Sequence, residues 1–316
     1  MKRMYVVAGP TASGKTAVAV QLAKLTGSEV ISADSMQVYT GMDIGTAKPT
    51  IVEMGGIPHH MLDITMPDKP ISVAEYVKLA TNVCKTCTPI VAGGTGFYIN
   101  ALIYGTQFSE IDAGQHLLDN ELRDFYTNLA AQKGAAFLHE KLQIVDPAYA
   151  AIVHPNNIKK VARALSYHES TGQLFSAHNA MQKATASLQY DLTFVILSLP
   201  RDALYDRING RVLAMWEAGL PDEVCGLLDA GYHTGLSSMQ GIGYKETIPF
   251  LQGHSTKDET INCIQQATRN YAKRQDTWFR HQVKNAIHID VFDKTAEQIA
   301  EQIMQTKETS QCSTNT

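Results

Sequence analysis

Gly9, Pro10, Thr11, Ala12, Ser13, Gly14, Lys15 and Thr16 read G-P-T-A-S-G-K-T, directly after the apolar run Met4-Tyr5-Val6-Val7-Ala8. This is the G-x-x-x-x-G-K-[ST] pattern between a predicted strand and a predicted helix, the context a phosphate-binding loop requires. Gly9 and Gly14 permit a backbone path that side chains would obstruct. The loop N–H groups then converge on phosphate oxygens at a helix N-terminus, where the helix dipole also favours negative charge. Lys15 adds a full positive charge and Thr16 offers a hydroxyl to Mg²⁺. The pattern specifies a diphosphate or triphosphate; it does not specify a nucleotide.

Outward from the loop, residues 4–7 read as a strand, 16–25 as a helix, 29–32 as a second strand, 61–64 as a third, 72–84 as a helix and 89–92 as a strand running into Gly93-Gly94-Thr95-Gly96. Strand, glycine turn and helix in repetition predict an α/β fold, a P-loop NTPase-like parallel sheet with helices on both faces. The pattern changes near residue 111. From 117 to 184 the periodicity is helical, with helices expected at 118–129, 134–145 and 158–170, broken by Asp146-Pro147 and His154-Pro155-Asn156. The run 191–199 is a strongly apolar strand that returns to the sheet, and helices follow to Lys284 before a short strand at 287–291. The expected organisation is a core from 1–112 and 186–306, an inserted helical domain at 113–185, and a flexible polar tail at 307–316.

The 316 residues can bury a large core, and 44% apolar with 18% charged residues is ordinary for a globular protein. No apolar stretch approaches a membrane span. The short apolar run at the start leads straight into the phosphate loop, so no signal peptide and a cytoplasmic location are expected. Five cysteines in a long chain without an export signal argue against disulfides. Cys84 and Cys87 form a lone C-x-x-C without a second pair at zinc spacing, and read as structural thiols with Cys84 on a buried helix face.

The net charge of −4 advertises no nucleic acid, but its distribution is uneven. Arg269, Lys273, Arg274, Arg280 and Lys284 stand against Asp276 alone, with Tyr271, Trp278, Phe279 and His281 interleaved. Lys159, Lys160 and Arg163 form a second cluster. From charge alone these are solvated helix faces or RNA-facing patches. Asp34 falls at the C-terminal edge of a parallel strand, where open α/β sheets bind ligands; it suits a general base or a plain turn cap. The glycines of 93–96 let backbone approach a ligand and Thr95 could reach a phosphate oxygen, or the segment is only a turn. Arg207 and Arg211 share one helix face and suit a leaving phosphate, or form a surface pair.

These residues together resemble the tRNA dimethylallyltransferase family, the bacterial tRNA isopentenyltransferases. The matching segments are Gly9 to Thr16, Ser32-Ala33-Asp34-Ser35-Met36-Gln37-Val38-Tyr39, Gly41-Met42-Asp43-Ile44-Gly45-Thr46-Ala47-Lys48-Pro49, Pro58-His59-His60, Gly93-Gly94-Thr95, Arg211 to Leu220, Gly241-Ile242-Gly243-Tyr244-Lys245 and Lys273-Arg274-Gln275 with Trp278. They span nearly the whole chain. Thr40 stands where a basic residue is common. The zinc module of eukaryotic relatives is absent, so no zinc is expected. The resemblance implies transfer of a dimethylallyl group from dimethylallyl diphosphate to N6 of adenosine 37 beside the tRNA anticodon, with diphosphate released, by a monomeric enzyme using Mg²⁺. It implies Asp34, Thr95, Arg211 and Lys15 as catalytic residues, Gly9 to Thr16 as the diphosphate loop and Thr16 as the metal ligand. It implies tRNA contacts at Asp34, Ser35, Met36, Gln37, Lys159, Lys160, Val161, Ala162, Arg163, Gly243, Tyr244, Lys245, Lys273, Arg274, Trp278 and Arg280. Alternatives that keep the phosphate loop are a small-molecule P-loop kinase, an isopentenyltransferase acting on free adenine nucleotides, and an RNA-binding regulator switched by a nucleotide.

Overall fold

A computed structural model describes the backbone of residues 2–105, 113–185 and 190–312 and the side chains of 2–105, 121–180 and 190–306. It divides into two compact units, Met1–Gly105 with Leu188–Thr316, and Thr106–Ser187. The expected changeovers at 112–113 and 185–186 abut segments outside the described residues.

The first unit is built on a parallel sheet of β1 (Lys2–Ala8), β2 (Glu29–Ala33), β3 (His59–His60), β4 (Pro89–Gly93), β5 (Tyr190–Ser198) and β6 (Ile287–Asp290). Their order is β3-β2-β4-β1-β5-β6. Side chains alternate faces along a strand, and β1 is apolar on both. Met4, Val6 and Ala8 enter one core cluster with α3 (Val73–Thr86) and α4 (Gly96–Ile103). Tyr5 and Val7 enter another with α1 (Lys15–Thr26). Burial on both faces is what an all-parallel sheet demands. The short α2 (Ile51–Met54) lies between β2 and β3 in the chain.

Helices α10 (Arg201–Glu217), α11 (Leu220–Asp229), α12 (Tyr244–Leu251) and α13 (Lys257–Gln282) build a further apolar cluster with Val38, Tyr39 and Met42. The last helix, α14 (Ala296–Cys312), packs on the α1 side through Ile299, Ala300 and Ile303. Helical backbone thus continues through 307–312, where a frayed tail was expected; residues 313–316 lie outside the described residues. The strand expected at 61–64 is instead the two-residue β3, because Met61 and Asp63 take left-handed backbone (φ 65° and 53°) that no strand accommodates.

The second unit is helical: α5 (Ala113–Lys133), α6 (Ala135–Val145), α7 (Pro147–Ala150), α8 (Ile158–Thr171) and α9 (Phe175–Thr185). Three helices were expected there. Asp146 does not merely break the chain but caps a new turn, accepting from the Tyr149 N–H at 3.1 Å. Gly172, with φ 70°, ends α8, and α9 starts three residues later.

Candidate active site

The site begins with strand register. Ala8 on β1 is level with Gly93 on β4, which is level with Ala33 on β2. The chain therefore leaves three adjacent strands side by side, into the loop from Gly9, the turn from Asp34 and the turn from Gly94. β1 lies between β4 and β5, so the strand order reverses there, the position at which open α/β sheets bind ligands. Gly9 is obligatory: its φ is +150° and a Cβ would stand 2.6 Å from the Leu197 carbonyl oxygen. The first turn of α1 has no side-chain cap and no acidic residue, which leaves its N-terminal end for an anion.

A cavity of about 360 Å³ follows this loop, lined by Gly14, Lys15, Thr16, Asp34, Arg207 and Arg211 among others. The Lys15 ammonium folds back onto the Pro10 carbonyl oxygen at 2.7 Å. Burial pushes its pKa down to about 7, Arg211 adds to the fall, and Asp34 opposes it. Burial also lowers Arg211, again against Asp34. Arg211 donates through Nη2 to Thr11 Oγ1 at 2.5 Å, while its buried Nε has no partner among the described residues. The Ser13 hydroxyl is also buried without one among them. Two desolvated cations and an unmet guanidinium N–H around one cavity suit an anion.

A second cavity, about 310 Å³, shares Thr11, Asp34, Thr46 and Arg211 with the first and is otherwise lined largely by apolar groups such as Met36, Val212, Met215, Ile242 and Ile264, with Tyr271 and Arg274. Asp34 thus stands on the wall common to a polar and a largely apolar chamber. The turn-cap reading of Asp34 holds and leaves one carboxylate oxygen over. Its Oδ1 accepts the Met36 N–H at 2.8 Å as a turn cap, and Oδ2 has no hydrogen-bond partner among the described residues. Ser35 and Met36 line the apolar chamber, and Gln37 the polar one. The Gln37 amide donates to the carbonyls of Thr46 (3.3 Å) and Ala47 (3.1 Å) and accepts from Ser32 Oγ at 2.8 Å.

Several expected site residues are placed otherwise. Of the glycines after β4, Gly93 lines the polar cavity, whereas Gly94 and Gly96 line neither chamber. A Cβ on Gly93, Gly94 or Gly96 would run into Ala33, the Gln275 amide or the Trp278 ring respectively, so each glycine also admits neighbouring chain. Thr95 lines neither chamber; its hydroxyl accepts the Ser35 N–H at 3.2 Å and so steadies the turn that carries Asp34. Tyr244 is wholly buried in the helical cluster and donates to Glu223 Oε1 at 2.6 Å, and with buried Gly243 and exposed Lys245 it lines the apolar chamber. Trp278 packs into the core beside Phe279. On α8, Val161 and Ala162 are buried in the helical unit's own core, and Lys159, Lys160 and Arg163 are exposed, Arg163 over the Phe175 ring. On α13, Lys273 and Arg274 are exposed, and Arg280 pairs with Asp276 one turn back.

Three site residues escaped sequence reasoning. Gln275 bridges the phosphate loop to Gly94. Tyr271 is pushed up to about 12 by burial and the charge of Asp34, with hydrogen bonding to Thr95 and Gln275 drawing it back. Glu223 clamps the loop over 43–45, accepting the N–H groups of Asp43 (3.0 Å), Ile44 (2.7 Å) and Gly45 (3.0 Å). A signal existed for Gln275: Ile261, Ile264, Thr268, Ala272, Gln275 and Phe279 form the buried stripe of α13, and an amide on that stripe needs buried partners. Cys84 is buried in the sheet core, and burial raises its thiol and lifts Cys87 to about 11, which keeps both unreactive.

A parallel sheet covered on both faces, with an anion-ready loop at its switch point, defines a P-loop protein with a bichambered transfer site. The family model described as IPP transferase matches residues 37–282. A tRNA dimethylallyltransferase of Alkaliphilus oremlandii is 46% identical over 284 residues, 88% of each chain, and one of Acetivibrio thermocellus is 43% identical over 300 residues, 93% of this chain and 94% of that one. Among solved structures, a tRNA isopentenylpyrophosphate transferase of Staphylococcus epidermidis aligns over 98% of this chain and 100% of its own, with TM-score 0.69 and 37% identity. A eukaryotic dimethylallyltransferase acting on tRNA aligns over 95% of this chain and 78% of its own, with TM-score 0.78 and 26% identity. The chain belongs to the IPP transferase family.

Proposed function

We propose that the protein transfers a dimethylallyl group from dimethylallyl diphosphate to N6 of adenosine 37 in the tRNA anticodon stem-loop, releasing diphosphate. The observation that carries this reading is the wall shared by the two chambers, which holds both the buried, partly unmet cation Arg211 and the carboxylate of Asp34. The diphosphate belongs in the polar chamber, and the alkyl chain and the flipped base in the other.

The reaction breaks the bond between allyl C1 and the bridging diphosphate oxygen and forms a bond from N6 to C1. Negative charge grows on the diphosphate, where Lys15, Arg211 and the loop amides stand preorganised. The N6 proton passes to Asp34 Oδ2 and then to solvent. Thr95 acts by holding the Asp34 turn. The oxygens of Thr16 and Asp34 are hard donors that fit Mg²⁺, and among the described residues no group of three or more His, Cys, Asp or Glu could hold a metal. Bound there through Thr16, Mg²⁺ would neutralise diphosphate oxygens.

The exposed cations Lys273 and Arg274 of α13, and Lys159, Lys160 and Arg163 of α8, suit RNA phosphates. We assign the anticodon arm to these faces, the working form to a monomer, and the reaction to the cytoplasm. Among the described residues no helix is long and apolar enough to cross a membrane.

Labelled dimethylallyl diphosphate incubated with the protein and unmodified tRNA, followed by nucleoside analysis, tests the reading. Label in N6-dimethylallyladenosine is expected. Phosphoryl transfer from ATP without alkylation would overturn it in favour of a kinase.

A further inference from the structure

The hydrogen bonds of the sheet end at Ala8, Gly93 and Ala33. Beyond them the phosphate loop and the Asp34 turn leave strands that are not neighbours, since β4 lies between β1 and β2. Something must hold the two loops in one geometry if the leaving group and the proton acceptor are to serve one reaction centre. A side chain from far along the chain sits at that gap.

We infer that Gln275 is a positioning residue that locks the phosphate loop to the turn carrying Asp34. This rests on the transfer reading above. The Gln275 side chain is nearly sealed from solvent, at 5% exposure. Its Oε1 accepts the Thr11 N–H at 2.8 Å and its Nε2 donates to the Gly94 carbonyl at 3.0 Å. The two partners fix the amide orientation, because the reverse would set two donors face to face at Thr11 and two acceptors at Gly94. Thr11 in turn accepts from Arg211. On the other side, Thr95 follows Gly94, donates its N–H to Ala33 O at 3.1 Å and accepts the Ser35 N–H. A continuous path therefore runs from the leaving-group cation to the residues flanking Asp34, in which the Gln275 side chain joins the phosphate loop to the Gly94 turn and the Thr95 hydroxyl joins that turn to Ser35. Gly94 shows how close the fit is, since a Cβ there would collide with Gln275 Nε2.

Satisfying two buried backbone groups is a structural service any protein needs. The positioning role predicts more, namely a chemical rate that follows the amide's hydrogen-bonding pattern. Gln275→Met keeps the volume and loses both bonds. It is expected to lower the single-turnover transfer rate about 10²-fold, the scale of a small misplacement of reacting groups. Its affinity for inorganic diphosphate should weaken about tenfold, the scale of one lost hydrogen bond, while tRNA affinity stays within about twofold of wild type.

Gln275→Glu is the sharper probe. A protonated carboxyl accepts from Thr11 and donates to Gly94 as the amide does, whereas a carboxylate faces the Gly94 carbonyl oxygen without a proton. The ratio of Gln275→Glu to wild-type rate should therefore rise as pH falls toward the carboxyl range, about 4.3 in model peptides and higher when buried. Lys15, Asp34, Arg211 and Tyr271 are common to both proteins, so the ratio isolates the new group. Gly94→Ala, which displaces the amide, should match Gln275→Met, and the double variant should be no worse than the poorer single one.

A Gln275→Met protein with wild-type single-turnover rate, or a Gln275→Glu ratio flat with pH, would overturn the assignment. Absence of transfer by the wild-type protein would fall on the functional reading instead. In that case unchanged diphosphate affinity in Gln275→Met would still refute the lock, and weakened affinity would support it.

Discussion

Replacing Glu223 by Ala tests how the loop over 43–45 is held. One carboxylate accepts three backbone N–H groups and the Tyr244 hydroxyl, at 2.6–3.0 Å. A hydrogen bond to a charged group contributes about 1.5–3 kcal/mol, but the four share one acceptor and do not add. Asp43 is exposed, so water replaces the carboxylate at its N–H. Tyr244 is wholly buried, and its hydroxyl loses its partner, which costs about 1–3 kcal/mol. With partial compensation at Ile44 and Gly45, the expected loss is about 3–4 kcal/mol, a large share of a total near 5–15 kcal/mol. Tyr244→Phe alone should cost about 1 kcal/mol, and in the double variant the two losses should couple by at least about 1 kcal/mol. Urea unfolding of the four proteins supplies the cycle, and amide exchange across residues 42–47 reports the loop. The effect should reach function, because Gln37 hangs from the carbonyls of Thr46 and Ala47: KM for tRNA should rise even where the protein stays folded. A loss under about 1 kcal/mol with no coupling, or unchanged exchange at 42–47, would refute the clamp.

The remaining predictions concern charge and proton transfer. Lys15→Ala and Thr16→Ala should each lower transfer about 10²–10³-fold, the scale of removing one preorganised donor at a developing charge; near wild-type turnover with wild-type diphosphate affinity would remove the loop from the donor site. Asp34→Asn should leave tRNA affinity intact and lower the single-turnover rate about 10²–10⁴-fold; the amide can still accept the Met36 N–H, so a folding defect would not account for the loss. Neutralising Lys159, Lys160, Lys273 and Arg274 together should weaken tRNA binding and flatten its dependence on salt, because each lost phosphate contact reduces counterion release. An unchanged slope in a titration at several salt concentrations would return these residues to the role of solvated faces.

The loop from Gly9 to Thr16 was legible in the chain because its chemistry is local: glycine conformations, a helix N-terminus and one cation act within eight consecutive residues. The alternation of apolar strands and helices was legible for the same reason, since a strand segment buried on both faces is a continuous apolar run, as β1 from Met4 to Ala8 and β4 are. Only the tertiary structure decided which groups share a wall. Arg211 meets Thr11 across 200 positions and Gln275 meets Thr11 across 264, separations over which no periodicity carries information. The same holds for the glycines after β4. The sequence marks them as places where something comes close, and folding alone determined that Gln275 and Trp278 do so at Gly94 and Gly96, while Gly93 lies against Ala33 and lines the polar cavity. Tyr244, Val161 and Ala162 make the point from the other side. All three were expected as tRNA contacts, yet packing against Glu223 and in the α8 core buries them, because burial is a property of the assembled layers and not of the residue.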